Sequence, residues 1–193
     1  MSVALVDLGY GNIGSIEIAL NRLGAAVMRT ADPKAIRAAE RVVLPGVGAA
    51  GYATGRIDAL GLRHTLTTLT QPLLGICLGM QLLFEESEED GADCLGLIPG
   101  RVRRLDPAPG RPVPHMGWSR LETRGEAPGL TTGDYVWFAH GFACDDGPHS
   151  IAVTDYGRLI PAAVRRENVL GAQFHPERSS AAGARFLKAF LAS

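Results

Sequence analysis

Short apolar runs alternate with helical repeats across the first eighty residues of this chain, and few architectures accommodate that order. Ser2 to Leu8 is apolar and rich in β-formers until Gly9, Gly11 and Asn12 break it. From Asn12, a residue type suited to an N-cap, Ile13, Ile16, Leu20 and Leu23 recur at helical spacing up to Gly24. Ala26 to Arg29 and Arg41 to Leu44 are again short and apolar, with a polar, alanine-rich stretch between them. Gly55 to Thr68 reads as a further helix with Ile57, Leu60 and Leu62 inward, and Pro72 resets the chain before Leu73 to Ile76. Unbroken apolarity in that last run fits a strand buried on both faces. Strands separated by helices return parallel to one another, so an α/β fold with a central, mostly parallel sheet flanked by helices is predicted.

Past Leu95 the pattern changes. Gly and Pro are dense between Gly96 and Pro114, and Asp134 to Ala139, Ser150 to Thr154, Ala162 to Arg165 and Val169 to Phe174 read as short strands, an antiparallel addition to the sheet. Phe186, Leu187, Phe190 and Leu191 form a stripe on a C-terminal helix that should dock on it. No repeat or linker interrupts the 193 residues, so one domain over 1–193 is expected.

Charge and cysteine content exclude several classes. With 19 basic and 20 acidic side chains the net charge is −1, which provides no field for nucleic acid or anionic membrane. The longest apolar-plus-glycine run, Leu73 to Met80, is far short of the roughly 20 residues of a membrane-crossing helix. Arg22 is the first basic residue and Asp7 interrupts the opening run, so no signal-peptide pattern is read. Cys77, Cys94 and Cys144 show no C-x-x-C pairing, which fits a reducing cytoplasm. The acidic run Glu85, Glu86, Glu88, Glu89, Asp90 has no neighbouring His or Asn and reads as solvated surface, as do Arg101, Arg103, Arg104 and Arg111. No metal or cofactor is expected.

Two glycine motifs compete for the functional reading. Gly9-Tyr10-Gly11-Asn12-Ile13-Gly14 fits G-x-G-x-x-G between strand and helix, with Asp32 following the next strand, as in dinucleotide sites. In a chain with 24 glycines a tight strand-to-helix turn explains it better. Gly75-Ile76-Cys77-Leu78-Gly79 is more specific, because a buried strand runs directly into G-x-C-x-G, the thiol form of the nucleophile elbow. Such a turn strains and presents its central residue, small neighbours leave room for substrate, and the positive end of the following helix favours the thiolate. A cysteine nucleophile needs a base held by a carboxylate. His175 supplies the base at the end of an apolar strand, and Pro176 disposes Glu177 to reach back to it. The amide of Leu78 and the turn Pro45-Gly46-Val47-Gly48 offer N–H groups for an oxyanion.

With Gly75 to Gln81 and Phe174-His175-Pro176-Glu177 in place, the sequence resembles the class I (triad) glutamine amidotransferases. It is similar, among them, to the glutaminase subunits of imidazole glycerol phosphate synthase in histidine biosynthesis. The further matches are Asp7 to Asn12, Leu44 to Gly48, Leu95 to Gly100 and Pro114-His115-Met116-Gly117-Trp118, spread over nearly the whole chain. The resemblance implies that Cys77 attacks the glutamine side-chain amide, that His175 moves the proton to departing ammonia, and that Glu177 orients His175. Leu78 with Val47 or Gly48 would form the oxyanion hole, and Gln81 and Gly46 would hold substrate. It also implies a heterodimer with a cyclase subunit, a (β/α)8 barrel that receives the ammonia, and slow turnover by the free chain. His115 and Trp118 would lie toward that partner. Where the family usually has His-Ser-Tyr this chain has His140-Gly141-Phe142, and Arg178 replaces a common lysine. Two alternatives stay open: a glutaminase subunit for another acceptor, and a non-catalytic dinucleotide-binding module.

Overall fold

In chain order the strands and helices are β1 (Ser2–Val6), α1 (Gly14–Arg22), β2 (Ala26–Thr30), α2 (Pro33–Ala38), β3 (Arg41–Gly46), α3 (Ala50–Ala59), α4 (Arg63–Thr67), β4 (Leu73–Cys77) and α5 (Leu78–Gln81). There follow β5 (Glu86–Ser87), β6 (Ala92–Asp93), β7 (Arg101–Arg104), β8 (His115–Arg120), β9 (Glu122–Thr123), β10 (Tyr135–His140), β11 (Phe142–Cys144), β12 (Ser150–Asp155), β13 (Leu159–Arg166), β14 (Val169–Ala172), a 3-10 turn (Pro176–Arg178) and α6 (Ser180–Ala192). This computed structural model describes residues 1–11 and 13–193, so Asn12, the expected N-cap, lies outside the described residues.

Eight strands make the central sheet in the order β2-β1-β3-β4-β14-β13-β12-β9. Pairing is parallel from β2 to β14 and antiparallel from β14 outward, as the sequence predicts. Every residue of β3 and β4 is buried, which is what their unbroken apolarity requires. Successive side chains point to opposite faces and sort into two hydrophobic layers. Val42, Leu44 and Leu73 pack with Ile36, Ile57 and Leu66 of α2, α3 and α4 on one face. Val43, Leu74 and Ile76 pack with Ile16 and Leu20 of α1 and with Phe186 and Phe190 of α6 on the other. Truncating either phenylalanine to alanine should cost about 3–5 kcal/mol. Among the described residues no helix is long and apolar enough to cross a membrane.

One local expectation changes. The helix read over 55–68 starts earlier, at Ala50, and is broken after Ala59, where Gly61 takes a left-handed φ of +64°. Leu62 is fully buried at the start of α4, whereas Leu60 is half-buried. The arginines read as solvated surface are exposed at 101, 103 and 104, on strand β7, which pairs parallel with β5 in a small four-stranded sheet. A separate antiparallel ribbon joins β8 to β10.

Strand order places the site. β1 leads to β2 on one side and β3 lies on its other side, so the loops leaving β1 and β3 diverge at the carboxyl edge of the sheet. Ligand crevices form at that edge in open α/β sheets. The last residues of β3 and β4, Gly46 and Cys77, pair directly there.

Candidate active site

Cys77 sits between β4 and the single turn of α5 with φ +54° and ψ −114°. A non-glycine residue there carries about 1–3 kcal/mol of strain. Glycine packing around it explains how the strain is held. A Cβ on Gly79 would lie 1.9 Å from Leu44 O, one on Gly75 would lie 2.5 Å from Gly79 O, and one on Gly46 would lie 2.3 Å from Gly79 N. These glycines therefore let the backbones of β3, β4 and α5 touch. That corrects the expected role of Gly75 and Gly79, which face protein backbone and not substrate. Only four residues long, α5 also lacks the length for a large dipole, so any polarisation of the sulfur comes from the free amides of its first turn, Leu78 included.

His175 and Glu177 follow β14, the parallel neighbour of β4 on the side away from β3, and so emerge beside Cys77 at the same edge of the sheet. Glu177 Oε1 accepts the His175 Nδ1–H at 2.9 Å, which leaves Nε2 for the sulfur of Cys77 in the same cavity. Burial alone would push the His175 imidazolium down. Interaction with Cys77 and the bond to Glu177 outweigh it and lift His175 to about 10. By contrast, burial pushes the Cys94 thiol up to about 11 and raises Cys144 as well, so neither is a ready nucleophile.

The backbone of His175 is fixed independently of its ring. Its N–H donates to Trp137 O at 2.9 Å, while Ser179 Oγ donates to His175 O at 2.7 Å and accepts Trp137 N–H at 2.9 Å. Strand β10 thereby holds the histidine against the elbow.

Gly46, Val47, Gly48, Cys77, Leu78, Gln81 and His175, all named from sequence, line one cavity of about 340 Å³. Glu177 stands behind His175, its side chain 5% exposed. Val47 and Gly48 form a turn braced by the loop after β1: a Cβ on Gly11 would lie 2.1 Å from Val47 Cγ2, and Gly48 has φ +85°. The glycines of the G-x-G-x-x-G motif thus serve a packed turn. Asp32 accepts Lys34 N–H as the N-cap of α2, a structural task that leaves the dinucleotide reading without its ribose partner.

Three features escaped the sequence reading. The acidic run is not simply solvated: Glu85 accepts Gly100 N–H, Glu88 accepts Arg104 N–H, and Glu89 lines the cavity while accepting Ala50 N–H at 2.8 Å. Gln173, fully buried, donates to Cys77 Sγ at 3.9 Å and accepts from Gln81 Nε2 at 2.9 Å. Its place two residues before His175 on an apolar strand was the available signal. His115, expected toward a partner, is 2% exposed and packs behind the cavity, whereas Trp118 is 49% exposed.

A strained cysteine elbow facing a histidine braced by a carboxylate, on an α/β sheet, defines the class of triad cysteine-nucleophile proteins. A sequence model described as glutamine amidotransferase class-I matches residues 4–193, and the chain belongs to that family. It is 48% identical over 192 residues to the imidazole glycerol phosphate synthase subunit HisH of Xylella fastidiosa (strain Temecula1 / ATCC 700964), covering 98% of this chain and 96% of that one. The protein of the same name from Xanthomonas campestris pv. campestris (strain 8004) matches at the same identity and coverage. Among solved structures, a glutamine amidotransferase crystal structure superposes with a TM-score of 0.77 at 22% identity, covering 99% of both chains. PurLQS from Thermotoga maritima gives 0.71 at 18% identity, covering 99% of this chain and 97% of that one. These two likenesses speak to the fold.

Proposed function

We propose that residues 1–193 form one glutamine amidotransferase domain that acts as the cytoplasmic glutaminase subunit of imidazole glycerol phosphate synthase. Convergence of Cys77, His175 and Glu177 on one cavity carries the catalytic part of this reading. The 48% identity to HisH proteins supports the choice of synthase.

In this mechanism Cys77 Sγ attacks the side-chain amide carbon of glutamine, and the oxyanion that forms is met by the N–H of Leu78 and of Val47 or Gly48. His175, protonated through its interaction with the sulfur and its bond to Glu177, gives its proton to the departing ammonia as the C–N bond breaks. The remaining γ-glutamyl thioester is attacked by water, with His175 now taking the proton, and glutamate leaves. Gln81, Gly46 and Glu89 hold the substrate. The ammonia passes to a cyclase partner, a (β/α)8 barrel, in a heterodimer, and the ring-closing chemistry belongs to that chain.

The exposed face of the β8–β10 ribbon suits such a partner. Met116, Trp118 and Tyr135 stand out from it, and Trp118, Tyr135 and Leu159 line an open groove of about 460 Å³ beside it. The decisive experiment measures glutamine turnover with and without cyclase and its nucleotide, together with labelling by a glutamine-analogue electrophile. Label on Cys77, loss of turnover in Cys77→Ser and acceleration by cyclase are expected. Label on Cys94 or Cys144, or equal rates with and without cyclase, would overturn the reading.

A further inference from the structure

Behind the cavity wall two histidines outside the triad are buried in contact. His115 Nδ1 lies 3.1 Å from His140 Nε2, His115 Nε2 lies 2.8 Å from Ser119 Oγ, and His140 Nδ1 lies 2.7 Å from Phe142 O. The His115 ring is stacked between Phe138 at 4.8 Å and Tyr156 at 3.9 Å, and the Tyr156 hydroxyl donates to Pro112 O. Aromatic faces on both sides hold the imidazole in one orientation.

The chemistry of the far end gives this chain of bonds a direction. A carbonyl oxygen only accepts, so His140 carries its hydrogen on Nδ1 and, when neutral, presents a lone pair at Nε2. His115 must then donate from Nδ1 and accept at Nε2, where the Ser119 hydroxyl donates. Burial pushes His115 down to about 4 and His140 down to about 3, so both rings are neutral at pH 7. Phe142 O also takes a hydrogen from Gln81 Nε2 at 2.7 Å, and the other amide hydrogen of Gln81 goes to Gln173 Oε1. Both donors of Gln81 are spent inside the protein, which leaves its Oε1 as the acceptor that this cavity-lining residue can offer.

We propose that the chain from Ser119 through His115 and His140 to the carbonyl of Phe142 is a positioning device for glutamine, holding that carbonyl so that Gln81 is locked with Oε1 turned to the substrate. The proposal rests on the glutaminase reading of the cavity. It assigns His115 and His140 no part in proton transfer: they act through Gln81 on binding.

Two measurements test it. Nitrogen-15 NMR of the full chain labelled at histidine should find His115 and His140 both in the Nδ1–H tautomer, unchanged from pH 8 to pH 5.5. Glutamine kinetics in the presence of cyclase should show His140→Leu raising KM about tenfold or more with kcat within about threefold, a ground-state binding loss. His140→Asn, whose amide nitrogen can stand in for Nδ1 as donor to Phe142 O, should keep KM within about threefold of the unaltered chain. An Nε2–H tautomer at His140, an unchanged KM in folded His140→Leu, or a collapse of kcat at constant KM overturns the proposal. If either variant fails to fold, the tautomers of the unaltered chain decide. Absence of any glutamine turnover by the unaltered complex would instead remove the glutaminase reading, and the proposal with it; the NMR result separates that failure from a wrong hydrogen-bond direction.

Discussion

Replacing Glu89 with glutamine removes one negative charge from the cavity and little else. Glu89 Oε2 accepts the Ala50 N–H at the start of α3, and the amide oxygen of glutamine can take over that bond. Among the described residues that line the cavity Glu89 is the sole carboxylate, and burial holds its carboxyl above the usual range while the Ala50 N–H pulls it back. A glutamine substrate brings an ammonium group that needs such an acceptor. Hydrogen bonds to charged groups are worth about 1.5–3 kcal/mol. Glu89 is partly exposed, so screening selects the lower end, and about 1.5 kcal/mol corresponds to roughly a tenfold rise in KM. The ammonium carries the same charge in ground and transition states, so kcat should change little. The assay follows glutamate release against glutamine concentration with cyclase present, beside the deamino analogue, which keeps the side-chain amide and the carboxylate but lacks the ammonium. Glu89→Gln should lose about tenfold on glutamine and nothing on the analogue. Equal losses on both substrates, or an unchanged KM for glutamine, would show that Glu89 does not hold the ammonium group.

Gly79→Ala forces a Cβ to within 1.9 Å of Leu44 O, an overpacking that costs about 1–3 kcal/mol and should lower Tm by roughly 2–4 °C per kcal/mol. Gly55→Ala, in α3 with open space around it, is the control and should leave Tm unchanged or raise it. Removing the sulfur in Cys77→Ser should bring His175 down from about 10, read by histidine NMR. Because the folded value lies above the ordinary 6.5, the pairing of His175 stabilises the fold fully below pH 6.5 and is lost as pH rises through about 10. Urea unfolding at pH 7 and pH 10 should therefore show a smaller decline for Cys77→Ser than for the unaltered chain. Trp118→Ala should weaken cyclase binding by about 2 kcal/mol or more, roughly 30-fold, in a direct titration, and an unaltered Kd would remove Trp118 from the partner face.

The parallel half of the fold was legible, as were the residues that meet at the candidate site, because their signals are local. Gly75-Ile76-Cys77-Leu78-Gly79 needs only five consecutive residues to imply a strained turn, and Pro176 fixes His175 and Glu177 within three positions. Even there the sequence shows residue types without their neighbours. Small residues beside Cys77 suggest space for a ligand, and only the approach of Leu44 O to Gly79 reveals that β3 fills it. The acidic run misled for the same reason. Its cations arrive from elsewhere, since β5 pairs with β7 so that Glu86 meets Arg101, and Glu88 bonds Arg103 and the Arg104 N–H.

Long-range pairing also explains why the second half resisted reading. β8 and β10 are fifteen or more positions apart, and nothing in either segment announces the register that sets Trp137 opposite Trp118 and His140 opposite His115. Yet that one register gives β10 three tasks on one strand. Its outward Trp137 meets Trp118 edge-on at 5.9 Å on the ribbon, its Trp137 carbonyl takes the His175 N–H, and its Ala139 carbonyl faces Cys77 Sγ at 3.9 Å. A partner seated on the ribbon would therefore press on a strand whose backbone already touches both the sulfur and the histidine. The proposed triad already meets at one cavity in this chain, so acceleration by the proposed cyclase is expected to act through small shifts in its position, and β10 is the element that links the ribbon to it.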